Sequence, residues 1–94
     1  MAVSCKDYMK ALEESIAKCN EYIRDPKIKK LYVKHNYEAV DFVRRANNFI
    51  QESTKILNNL KDHLDSSDYS FQIKNIKEYM EQTEIYYNHI ITSN

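Results

Sequence analysis

The chain has 94 residues, with 14 lysines and arginines against 14 aspartates and glutamates, no glycine, and a single proline, Pro26. That length holds one domain with a modest core, and zero net charge gives no overall attraction for nucleic acid. The lack of glycine excludes the phosphate-cradling loop, the nucleophile elbow and the dinucleotide fingerprint. It also removes the residue that most strand turns need for positive φ. The expectation is therefore an all-α domain over residues 1–94, made of helices joined by short polar turns, and a non-enzymatic one.

The first helix is expected from about Val3 to Arg24. Cys5, Met9, Leu12, Ile16, Cys19 and Ile23 recur at steps of three and four, with Tyr8 and Tyr22 flanking the stripe. Asp25-Pro26 ends it, because proline loses a helical hydrogen bond and clashes with the preceding turn. The same pair opens a new helix, with Asp25 as cap and Pro26 as first residue. From there the spacing predicts a short helix over 26–34 and a long one over 37–64, with Asn36 as the cap between them. The long helix carries three adjacent heptad series. They are His35, Phe42, Phe49, Ile56 and His63; then Tyr32, Ala39, Ala46, Ser53 and Leu60; then Val43, Ile50, Leu57 and Leu64. Three stripes are wider than one seam needs, which makes this the central helix. Asp65-Ser66-Ser67-Asp68 reads as a polar turn. The last helix is expected from about Tyr69 to Ile91, with Ile73, Ile76, Tyr79, Met80, Thr83, Tyr86, Tyr87 and Ile90 on its apolar side and Thr92-Ser93-Asn94 frayed. The sum is an antiparallel three-helix bundle with a short extra helix between its first two members.

No apolar run approaches the ~20 residues of a membrane span, and Met1 to Lys6 do not read as a signal segment. Cys5 and Cys19, if on one helix, stand about 21 Å apart, beyond disulfide reach. They read as core thiols of a reducing, cytoplasmic setting. His35 and His63 read as half-buried seam residues, and the histidines and cysteines make no metal-ligand spacing. No cofactor is expected. Arg24, Lys27, Lys29, Lys30 and Lys34 form a basic stretch with only Asp25 against them. It reads as a solvated face, or as a patch for an acidic partner or for peripheral contact with membrane headgroups, without specificity for nucleic acid.

Two segments carry a resemblance. Tyr37-Glu38-Ala39-Val40-Asp41-Phe42, followed by Ala46, resembles the second helix of MIT domains (microtubule interacting and trafficking). Glu78-Tyr79-Met80-Glu81-Gln82-Thr83-Glu84 is similar to the Glu-Tyr-Leu-x-Arg-Ala-Glu pattern of their third helix. Val43 stands where that pattern has tyrosine, Gln82 where it has arginine and Thr83 where it has alanine. The resemblance implies a three-helix fold that captures a short tail helix of a membrane-remodelling filament protein in an inter-helix groove. The groove residues it implies are Ala39, Ala46, Tyr79, Met80 and Thr83.

The last helix also carries more apolar surface than one seam requires. Tyr86-Tyr87 and Ile90-Ile91 each place neighbours about 100° apart, so an exposed strip is expected there and Tyr86 and Tyr87 join the candidate partner site. The expected function is a protein-interaction module for a partner helix or tail. The alternatives are a self-associating bundle, with homo-oligomers completing the wide central stripe, and a small viral or phage accessory protein that inhibits a host factor.

Overall fold

The second and third helices each begin at a residue able to stop the helix before it, Asp25 and Asn36. The computed structural model describes residues 3–62 and 66–94, and the helices are α1 (Cys5–Arg24), α2 (Pro26–Val33), α3 (Tyr37–Asp62) and α4 (Ser70–Ser93). There is no strand among the described residues, so the chain is all-α. Ser4 caps α1 by accepting a hydrogen bond from the Asp7 amide at 3.2 Å. Asp25 caps α2 through the Lys27 amide at 2.8 Å, with Pro26 at the first position. Asn36 caps α3 through the Ala39 amide at 3.0 Å.

Between α2 and α3 the chain turns without glycine. His35 takes a φ of 61°, its amide bonds the Tyr32 carbonyl, and the Asn36 amide bonds the Leu31 carbonyl. This pair of reverse bonds is the Schellman ending of a helix. It corrects the expectation for His35: the residue is exposed at the helix stop and is not a seam residue. His63, Leu64 and Asp65 lie outside the described residues.

The core has two centres. One joins Cys5, Tyr8 and Leu12 of α1 to Leu57 of α3 and to Tyr69 and Ile76. The other joins Tyr22 of α1, Ile28 of α2, Phe42 of α3 and Ile90 of α4. The first half of α1 thus meets the second half of α3 and the start of α4. Its second half meets α2, the start of α3 and the end of α4. Met80 packs against both centres, and its Sδ lies 3.9 Å from the buried thiol of Cys19. Cys5 and Cys19 are both free and buried. At the first centre the chain start is fastened: the Val3 amide donates to Asp68 Oδ1 at 2.8 Å and the Tyr69 amide to the Val3 carbonyl at 3.0 Å. Tyr8 and Tyr69 stack beside this clip, 4.9 Å between ring centres.

Two helix faces sit differently from expectation. On α1 the buried line is Cys5, Tyr8, Leu12, Ser15, Cys19 and Tyr22. Met9, Ile16 and Ile23 fall to its edge. On α3 the deepest line holds small residues, Ala39, Ala46 and Ser53, beside Phe42. Phe49 is only half-buried, and Ile56 and Tyr32 are exposed. Small side chains let backbones approach closely, and α1 makes its most extensive contact with α3. The end of α4 is also ordered further than expected. The helix reaches Ser93, Thr92 bonds the Asn88 carbonyl, and Asn94 links Ile90 to Asn36.

Candidate functional site

The α3–α4 face is held by side chains that reach across from α4. Phe49 stacks on Tyr79 with 4.5 Å between ring centres, and the Tyr79 hydroxyl donates to the Arg45 carbonyl at 3.4 Å. About two helical turns further along α4, the Tyr86 hydroxyl lies 3.0 Å from Asp41 Oδ2 and 3.3 Å from the Glu38 carbonyl. His89 Nε2 stands 2.8 Å from Glu38 Oε2. Between these rungs is an open cleft of about 180 Å³, lined by Phe42, Arg45, Ala46, Tyr79, Gln82, Thr83 and Tyr86.

Asp41 anchors the cleft's electrostatics. Its carboxylate is buried and is met by Arg44 at 2.7 Å, Arg45 at 2.9 Å and the Tyr86 phenol. Arg44, then Tyr86, then Arg45 hold the acid below the usual carboxylate range. Burial, and then the bond to Asp41, push Tyr86 up to about 12. The neighbouring Tyr87 repeats the device on α2. Its hydroxyl bonds Asp25 Oδ2 at 2.5 Å, which lowers Asp25, and the same bond, with burial second, pushes Tyr87 up to about 12. The adjacent tyrosines therefore tie the end of α4 to α3 and to α2. Tyr87 stacks on Tyr22, 4.4 Å between ring centres, and Phe42 meets Tyr86 edge-on at 5.7 Å.

Among the seven residues singled out in the sequence, Ala46, Tyr79, Thr83 and Tyr86 come together at the cleft. Ala39 is buried in the core. Met80 packs on both core centres, and Tyr87 packs on the second and bonds Asp25. The exposed strip expected from Tyr86-Tyr87 and Ile90-Ile91 is absent. Ile90 is buried, and Tyr86, Tyr87 and Ile91 pack against the second core centre. The pairs do splay by about 100°, but α2 supplies a neighbour on the side where α1 and α3 leave room. Phe42, Arg45 and Gln82 as lining, and Asp41 as the hub, were not among the site residues that the sequence pointed to. The one signal for Asp41 was Arg44 and Arg45 at the i+3 and i+4 positions that meet it on a helix.

Thr83, at the cleft's floor, returns its hydroxyl to the Tyr79 carbonyl of its own helix at 2.8 Å. The buried side chains here already have partners, so the cleft offers shape and aromatic surface more than reactive groups. No three His, Cys, Asp or Glu side chains converge to hold a metal among the described residues, and no described helix is long and apolar enough to cross a membrane. Compared with protein-family models, curated proteins and solved structures, the chain matches none.

Proposed function

We propose that the chain is a small non-catalytic protein-interaction module. In this account α1, α3 and α4 form an antiparallel three-helix bundle, α2 is inserted between the first two, and the molecule works in the cytoplasm. It holds a helical segment or tail of a partner along the α3–α4 face, in the manner that the MIT resemblance implies. The observation that supports this most is the cleft, whose lining includes Ala46, Tyr79 and Thr83 of the residues that the resemblance implies, together with Tyr86. Its volume suits one or two inserted side chains, so the partner lies along the surface and anchors there. Phe42 and Tyr79 supply apolar contact, with Arg45 and Gln82 at the rim.

Site-specific photo-crosslinking tests this. A photoreactive residue placed at exposed Gln82 is expected to form an adduct with a partner that the purified chain retains. The same residue at Lys55, on the opposite side of α3, is expected to form none. A retained partner that crosslinks at Lys55 and not at Gln82 would place recognition elsewhere.

A further inference from the structure

Four of the exposed large apolar side chains, Tyr32, Val33, Tyr37 and Val40, crowd the corner where α2 passes into α3, with Val33 at 74% and Tyr37 at 81% exposure. A hollow of about 390 Å³ opens there between Ile23, Lys29, Tyr32, Val33 and Val43. A second hollow, between Tyr32, Val40, Val43 and Arg44, shares two of those residues and continues it along α3. Neither shares a lining residue with the α3–α4 cleft. α2 has no acidic residue. Lys29, Lys30 and Lys34 are exposed, and none has an ion-pair partner among the described residues. Apolar hollows with an uncompensated basic rim fit an acidic surface that carries an apolar knob.

The same chain presents such a surface. From Glu78 to Asn94 there is no lysine or arginine. Glu78 and Glu81 are exposed on α4 and unpaired among the described residues. Ile85 follows them by seven and four positions, so all three share one helix face, and Ile85 is 56% exposed. We propose that a second copy of this chain docks its Glu78–Glu81–Ile85 strip on the α2–α3 corner. Ile85 enters the hollow of Ile23, Tyr32, Val33 and Val43, and the glutamates face Lys29 and Lys30. The two patches differ, so the contact is head-to-tail, and each added copy exposes a fresh corner and a fresh strip. Zero net charge leaves no overall repulsion between copies.

Sedimentation of the purified chain tests this. The mass is expected to rise with concentration at low salt and to fall back as salt screens the charges. Two double variants change only exposed residues: Lys29→Glu with Lys30→Glu, and Glu78→Lys with Glu81→Lys. Each alone is expected to keep its helical circular dichroism and to associate more than about tenfold more weakly, because like charges then face each other. Mixed in equal amounts they are expected to associate again, since each corner then meets a strip of opposite sign. Ile85→Ser is expected to weaken association while leaving its salt dependence in place. A parent that stays monomeric at millimolar concentration and low salt overturns the proposal, as does a mixture that stays monomeric. Binding of a monomeric parent to phosphatidylserine vesicles, lost in the lysine variant, overturns it too and assigns the corner to a membrane surface.

Discussion

His35 bears the cost of building a tight stop without glycine. A residue with a Cβ in the left-handed region is strained by about 1–2 kcal/mol, part of which glycine's looser unfolded chain would return. His35→Gly is therefore expected to stabilise the fold by about 0.5–1 kcal/mol, read as a higher urea midpoint at unchanged slope. The paired tyrosines act in the opposite sense, as single residues that fasten elements together. Tyr86 and Tyr87 titrate near 12 in the folded chain, against about 10 when unfolded. Their contribution is fully present below pH 10 and is lost as pH rises toward 12. Asp25 and Asp41 are lowered, so theirs is present above about pH 4 and is lost as pH falls through the folded values. The melting temperature is expected to hold a plateau between these limbs. A Tyr86→Phe, Tyr87→Phe chain is expected to melt lower at pH 7 and to lose less between pH 10 and 12. An alkaline limb equal to the parent's would deny these two hydroxyls the role.

Among the elements, α3 presents different widths of side chain to different neighbours. Its line of Ala39, Ala46 and Ser53 is buried, while Phe42 fills the second core centre with Tyr22, Ile28 and Ile90. Phe49, one heptad on, faces the α3–α4 side and stacks on Tyr79. The two phenylalanines should therefore differ although they share a stripe. Phe42→Ala is expected to cost roughly 3–5 kcal/mol, enough to unfold much of so small a protein. Phe49→Ala is expected to cost about half as much, because its ring keeps part of its surface in water. Equal losses in chemical denaturation would mean that the α3–α4 side is packed as tightly as the core. Lys27, at the start of α2, bonds the Ile91 carbonyl through its ammonium. With the Tyr87–Asp25 bond, this makes α2 a strap across the end of α4.

At the scale of the whole molecule, the two core centres lie along a body of 47 × 24 × 16 Å and are joined through Met80. Cys5 lies in one centre, and Cys19 lies beside Met80 between them. Both thiols are buried, and burial pushes Cys19 up to about 11, so thiolate is scarce at neutral pH. A thiol reagent such as DTNB is expected to label neither cysteine quickly in the folded chain and both in urea. Cys5, near the chain start, is expected to react first as denaturant rises, because chain ends open more readily than helix middles. Faster labelling of Cys19 would mean that the molecule opens from its middle.

The helices and their stops were legible because their causes are local. Asp25-Pro26 and Asn36 act on the next turn of chain, and apolar spacing fixes which side of a helix is wet. The tilt of each face was not legible, since it depends on the widths of neighbours that spacing does not encode. That is why Tyr8, Ser15 and Tyr22 displaced Met9, Ile16 and Ile23 from the buried line of α1. The cleft was half legible: Ala46, Tyr79, Thr83 and Tyr86 could be named from pattern, but Asp41 became a hub only when α4 brought Tyr86 to it. Likewise nothing in the spacing marked Val33, Tyr37 and Val40 as an exposed apolar group, and only the packing of α2 against α1 and α3 left them outside. The sequence by itself determined an all-α chain, the helix stops at Asp25-Pro26 and Asn36, and a basic segment with only Asp25 against it. The tertiary structure decided which apolar residues that chain could not cover, because burial depends on how several helices share one core.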